Sequence, residues 1–417
     1  MLSWVALTIV VGCALVVAAC GGDLPSLPPN GGSTTPPAVG PSPLPTATAD
    51  TTPPSSEPGP ISTPSPSPSS RLGIGWLPVT PAGEFTSSDV IADAVAAGQA
   101  LVAVGTYDDG TLAGAAAWYS RDGGAWSRAP VESAELTVME DVTLGGSGFV
   151  AVGYDYRGDE LVPAAWRSLD GAEWSAVADA DLRRGQMTAV AAGVRGYVAI
   201  GFDPATGEGL AWSSADGSSW NAAVEVPVFG PQPSVNDIIA GRDGYLAYGS
   251  TGDDERAAMW RSRDGMEWLR VDPFPSAPGS SVMSVAVSGE LIVGVGADYS
   301  SDVGQALVWV STNSQAWLPA LDPVAGEAGE MLAVVPVGSG FMAVGAVGGK
   351  GHAGFEAAVW SSPDGFDWQR EPHDASFVNA RMSGLVLAGP GLVALGEASL
   401  DPDGEEVRPQ VWLGLAR

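Results

Sequence analysis

Across residues 71–417 apolar and polar positions alternate with a period of two, in short runs separated by Gly and Asp. One unit reads MEDVTLGG, GFVAVGYD, PAAWRSLDG and AEWSAVA between residues 139 and 178. Alternation puts one side of each run inward and the other outward, and the Val, Ile and Phe content fits a pleated, half-buried strand. The Gly and Asp residues between runs supply turn chemistry. The pattern predicts four short strands per unit and no amphipathic helix in this region.

The units repeat. Trp-x-Ser-x-Asp-Gly-x-x-Trp occurs at Trp118–Trp126, Trp166–Trp174, Trp212–Trp220, Trp260–Trp268 and Trp360–Trp368, with a degenerate copy, WVSTNSQAW, at Trp309–Trp317. The first tryptophans step by 48, 46, 48, 49 and 51 residues. Asp-Gly between alternating apolar runs signals a tight hairpin, because Gly takes positive φ without a Cβ penalty. Asn313-Ser314 replaces Asp-Gly in the degenerate copy, and Asn is the next-best turn residue, so the hairpin is expected there too. A unit of this length with four strands, repeated around a ring, predicts a propeller blade. Trp412 is a first-position tryptophan without a successor, and Trp76 is a second-position one without a predecessor. Joining them gives seven blades, with the N-terminal strand completing the last, and a ring so closed leaves no long free sheet edge. The expected fold class is therefore all-β, a seven-bladed propeller of four-stranded antiparallel blades over residues 71–417.

The N-terminal region differs. Residues 1–20, MLSWVALTIVVGCALVVAAC, form an apolar run too short for a secure membrane span. Val17-Ala18-Ala19-Cys20 resembles the lipobox of a bacterial lipoprotein signal. That resemblance implies lipidation at Cys20 and an extracytoplasmic chain anchored to a cell membrane, facing the exterior or periplasm. Cys13 would leave with the signal, so no disulfide is expected and stability must come from packing. Residues 21–70 hold fifteen of the 34 prolines and almost no large apolar residue. Such a segment buries too little surface to fold and reads as an extended spacer.

The repeats resemble the Asp-box propellers, a group that includes sialidases, other glycoside hydrolases and sortilin-type receptors. The box here is one residue shorter than usual, as in Ser168-Leu169-Asp170-Gly171-Ala172-Glu173-Trp174. The resemblance implies a structural role for Asp122, Asp170, Asp216, Asp264 and Asp364. It also implies that ligands bind on the ring face opposite the box hairpins. A sialidase is disfavoured, since the Arg-Ile-Pro motif is missing and several of the scarce arginines lie inside the boxes.

Composition narrows the chemistry further. A formal net charge of −30 with a single lysine repels phosphate and excludes nucleic acid as a partner. Only His352 and His373 are present and no cysteine cluster exists, so no zinc or copper site is expected. No phosphate-binding glycine loop or nucleophile elbow occurs. Acids gather between the second and third strands of the blades: Asp108, Asp155, Asp203, Asp253, Asp254 and Asp298, with Asp401 and Asp403 in the last unit. Tyr107 and other aromatics adjoin them. These are the candidate ligand-face residues, against the simpler reading of a solvated acidic surface. No cofactor is expected, calcium being the one ion the loop oxygens would suit. Methionines at 139, 187, 283, 331 and 382 are expected to pack at the channel mouth. The functional expectation is a non-catalytic binding or scaffold propeller for an envelope protein or carbohydrate; the alternative is a glycoside hydrolase working through two loop carboxylates.

Overall fold

The computed structural model describes residues 73–79, 85–108, 113–133, 136–158, 160–179, 181–241, 243–252, 255–300, 304–320, 328–348, 354–389, 391–399 and 406–416. Cys20, the signal and the spacer lie outside them, as do Asp253, Asp254, Asp401, Asp403 and His352.

The described strands form seven four-stranded antiparallel sheets. The second blade is typical: β6 (Thr137–Gly145), β7 (Gly148–Arg157), β8 (Glu160–Ser168) and β9 (Ser175–Ala176) pair in sequence order. The last sheet runs β1 (Ile74–Val79), β28 (Val407–Ala416), β27 (Gly391–Ser399), β26 (Ala380–Ala388). Trp76 pairs with Gly414 and Pro78 with Trp412, so the N-terminal strand closes the seventh blade as the tryptophan grid requires.

The core lies between blades. Each of the seven buried apolar clusters joins two neighbouring blades, for example Val293, Val308 and Val310 of the fifth with Met331, Phe341 and Trp360 of the sixth. All seven first-position tryptophans are fully buried. Each aromatic face of this size contributes on the order of 2–3 kcal/mol to burial.

The box hairpins behave as turn chemistry requires. In the second blade Ser168 Oγ accepts from Gly171 N at 2.8 Å, and Asp170 Oδ1 from Ala172 N at 2.9 Å. Trp174 Nε1 then donates to Gly171 O at 3.1 Å, fastening the returning strand to the turn. Amide donors hold two of the box carboxylates low: Ala125 N and Gly124 N depress Asp122, while Ser218 N and its neighbours bring Asp216 to about 2. The degenerate hairpin keeps the same wiring, with Asn313 Oδ1 accepting from Gln315 N and Ala316 N at 3.0 and 2.9 Å.

The innermost strands share a feature the sequence pattern did not disclose. These are β2 (Val90–Ala97), β6, β10 (Gln186–Gly193), β14 (Ser234–Gly241), β18 (Ser280–Ser288), β22 (Gly329–Val337) and β26. Each carries a β-bulge at the same place, leaving Ala92, Glu140, Thr188, Asn236, Met283, Leu332 and Ser383 as the extra residues. Opposite the bulge stands a glycine; a Cβ on Gly153 would lie 1.9 Å from Val138 O, and six blades repeat that clash with the equivalent carbonyl. The recurrent Val-Gly pairs are therefore close approaches of strand to strand rather than strand ends.

The bulge also corrects the methionine pattern. Met139, Met187, Met331 and Met382 precede their bulges and are buried in the clusters between blades. Met283 is the bulge residue itself, one position out of phase, and it alone of the five lines the cavity at the mouth of the ring.

Candidate functional site

Aligning the seven innermost strands on the bulge sorts their residues into rings. Two positions before the bulge stand Val90, Val138, Gln186, Ser234, Ser281, Glu330 and Arg381. This ring is apolar on the first two blades, neutral polar on the next three and charged on the last two. Fold-building positions repeat around a propeller, so a position that changes chemistry from blade to blade is free to serve something else.

A cavity of about 870 Å³ opens at this ring, walled by the first, fourth, fifth, sixth and seventh blades. A hydrogen-bonded wall spans three consecutive blades, charged on two of them. Arg381 Nε donates to Glu330 Oε1 at 2.6 Å, and Tyr299 Oη donates to Glu330 Oε2 at 3.0 Å. Glu330 is 7% exposed and Arg381 26%, so the carboxylate is held inside while the guanidinium reaches the cavity. Glu397, the cross-strand partner of Arg381, also lines it. The rest of the wall is rich in hydroxyls, among them Ser87, Ser234, Ser281 and Ser383.

Of the ligand-face residues singled out from sequence, Tyr299 lines this cavity and the others described lie elsewhere, on the first, second, third and fifth blades. The Tyr107 ring lies under the Arg128 guanidinium at 3.8 Å, and Asp108 ends its strand exposed. Asp155 pairs with Arg157 at 2.9 Å. Asp203 pairs with Arg184 at 2.7 Å, and the same arginine reaches Glu208 and Glu225 at 2.7 and 2.8 Å. Burial opposes ionisation of Asp203, but Arg184 outweighs it and holds the carboxyl below its usual range. Asp298 Oδ1 accepts from Ser300 N at 2.7 Å within its own turn. None of these five lines the mouth cavity, so the structure does not gather them there. Among the described residues no group of three or more His, Cys, Asp or Glu side chains is arranged to hold a metal ion.

Sequence reading passed over Glu330 and Arg381 because they sit inside strands, where charge looks incidental. It also passed over the residues just after the bulge: Asp93, Asp141 and Asp237 on the first, second and fourth blades, and Ala189, Ser284, Ala333 and Gly384 on the others. The three aspartates are 1–6% exposed. They act on one another although the second and fourth blades are not neighbours, which puts them beside the ring axis. The signal in the sequence was a difference between aligned repeats, visible only once the bulge sets the alignment.

No protein-family model and no curated protein matches the chain. Solved structures do. Trypanosoma rangeli sialidase is 15% identical with a TM-score of 0.45, over 80% of this chain and 55% of that one. The β-propeller domain of the Trilobed protease from Pyrococcus furiosus is 11% identical with a TM-score of 0.47, over 78% and 93%. The periplasmic gluconolactonase of Pseudomonas aeruginosa is 11% identical with a TM-score of 0.44, over 66% and 82%. The chain thus spans about half the length of the sialidase it matches.

Proposed function

We propose that this chain is a lipid-anchored, extracytoplasmic binding propeller of Asp-box type, which recognises an envelope protein or carbohydrate through the mouth cavity. The observation that carries the reading is the hydrogen-bonded chain of Tyr299, Glu330 and Arg381 across three blades, which puts charge on the sixth and seventh blades where the other five are apolar or neutral. Such a wall is set before any ligand arrives, which lowers the ordering cost of binding. Hydroxyls around it would supply donors and acceptors to a polar ligand.

A glycosidase acid must keep its proton near neutral pH and also reach the ligand. The carboxyls that burial pushes up, Asp93, Glu140, Asp141 and Asp237, do not line the cavity.

The test uses the full chain in detergent, screened on a glycan array and against fractionated envelope proteins. Glu330→Ala and Arg381→Ala are combined, so that neither partner is left as a buried unpaired charge. The double variant should lose the ligands that the parent retains while melting close to it. Retention of every ligand at parental affinity removes the cavity from the function. Anchoring is tested separately: Cys20→Ala should move the chain from the membrane fraction to the soluble fraction. A variant that stays with membranes through a high-salt wash contradicts the lipobox.

A further inference from the structure

Asp141 stands at the centre of the axial carboxyls. Its Oδ1 accepts from Val142 N at 2.6 Å and its Oδ2 from Val190 N on the third blade at 2.5 Å. Its carboxyl shares the Val142 amide with that of Asp93, and it also interacts with the carboxyl of Asp237. Two carboxylates cannot hydrogen-bond to each other, since neither has a hydrogen to give. Where such carboxyls meet away from water, a proton kept by one of them turns the contact into a hydrogen bond.

The remaining oxygens show where the protons sit. Asp93 Oδ2 accepts from Val142 N at 3.2 Å, whereas Asp93 Oδ1 is fully buried and receives no donor. An acceptor oxygen without a donor is costly at this depth; the same oxygen bearing a hydrogen, and giving it to Asp141, has its partner. Asp237 Oδ2 accepts from Tyr248 Oη at 2.7 Å, and the same carboxyl interacts with that of Asp141. Asp141 accepts two backbone amides, one from its own blade and one from the next, and it is the carboxyl that both of the others meet, which makes it their common acceptor.

We infer that the axis of the propeller is a proton-binding site, in which Asp93 and Asp237 are held as neutral acids at neutral pH and both donate to a single ionised Asp141. The site links four blades: Asp93 bridges the first to the second, Asp141 the second to the third, and Asp237 the fourth back to the second. Two protons leave it as pH rises, and three charges then face one another away from water. The directions of titration agree: burial pushes Asp93, Asp141 and Asp237 upward, and the charge of Asp141 raises the other two. The groups packed around it add no opposite charge. Glu140 lies beside Asp141 on β6, Tyr248 faces it from β15 (Gly244–Ser250), Tyr154 bonds Glu140 from β7, and Ala189 is the third-blade residue of the ring.

The experiment compares thermal unfolding between pH 7 and 9.5 in a Glu140→Gln background, which removes the other raised carboxyl. The parent in that background should lose several degrees of melting temperature as pH rises, because protons bound only by the folded state are withdrawn. Adding Asp93→Asn and Asp237→Asn should abolish that slope and leave stability at pH 7 nearly unchanged, since an amide donates to Asp141 as the neutral acid does. Asp141→Asn should destabilise at every pH. Infrared difference spectra at pH 8.5 give a readout that does not depend on any variant folding well. A protonated-carboxyl band is expected in the Glu140→Gln chain, and Asp93→Asn should diminish it. The inference is overturned if that band is missing, if the paired asparagines destabilise at pH 7, or if a cation raises the melting temperature in an Asp141-dependent way. The last outcome would mean that the carboxyls surround a metal ion.

Discussion

Ser314 occupies the turn position that five other box hairpins give to glycine, and it does so at φ 55°. Its carbonyl still accepts Trp317 Nε1 at 3.2 Å, so the hairpin retains its fastening at the expense of backbone strain. A serine held in the left-handed region costs about 1 kcal/mol relative to glycine. Ser314→Gly should therefore stabilise the chain by about 0.5–1 kcal/mol, read as a higher midpoint in urea at unchanged slope. An unchanged or lower midpoint would mean that the Ser314 Oγ contact to Asn313 O, at 2.7 Å, offsets the strain. That the hairpin forms at all was legible beforehand, since Asn313 supplies the same acceptor oxygen as an aspartate. The strain was not, because it depends on a dihedral angle that residue identity alone leaves open.

At the scale of strands, period-two alternation and the tryptophan grid disclosed the number of strands, their order and the closure of the ring. They failed at the bulge. A bulge inserts one residue without changing the local composition, so Met283 reads as one of five equivalent methionines although it is a step out of phase with Met139, Met187, Met331 and Met382. The same slip concealed Asp93, Asp141 and Asp237 as members of one ring. Glu330 and Arg381 stayed hidden for a different reason: their meaning lies in contacts between the sixth and seventh blades, 51 residues apart. The acids assigned to loops were visible because charge beside a turn is conspicuous, yet Asp155 and Asp203 lie in the ends of strands, buried, and are engaged by Arg157 and Arg184. Closure makes the clearest prediction at this scale. Deleting residues 71–80 removes β1 and its six register pairs with β28, and it uncovers the cluster holding Trp76 and Trp412. The truncated chain should aggregate or melt far below the parent. Unfolding at the parental temperature would show that the ring does not depend on this strand.

For the molecule as a whole, two sets of carboxyls bound the pH range of stability from opposite sides. Asp216 is lowered to about 2 by the amides of its hairpin, and Asp122 and Asp264 are also lowered. Their contribution is complete above the unfolded carboxyl range and is lost as pH falls toward 2. Glu140 is raised to about 7, chiefly by burial, and its contribution is complete below the unfolded range and lost as pH rises through 7. Stability should thus peak in mildly acidic solution, and a melting series from pH 3 to 9 would show it. Glu140→Gln should flatten the decline between pH 5 and 7.5 while leaving the acid limb as it was. An alkaline limb identical in the variant would assign the decline to other groups.

The closing strand has a mechanical consequence. β1 begins at Ile74, soon after the proline-rich stretch of the sequence, and Ile74 pairs with Ala416 near the last residue of the sequence. Any tension transmitted along the preceding chain enters the ring at the strand that holds it shut. Were the chain held at Cys20 as proposed, a pull on that anchor would be borne by the β1–β28 ladder before it reached any other blade. Load on the anchor and integrity of the ring would then be one mechanical variable.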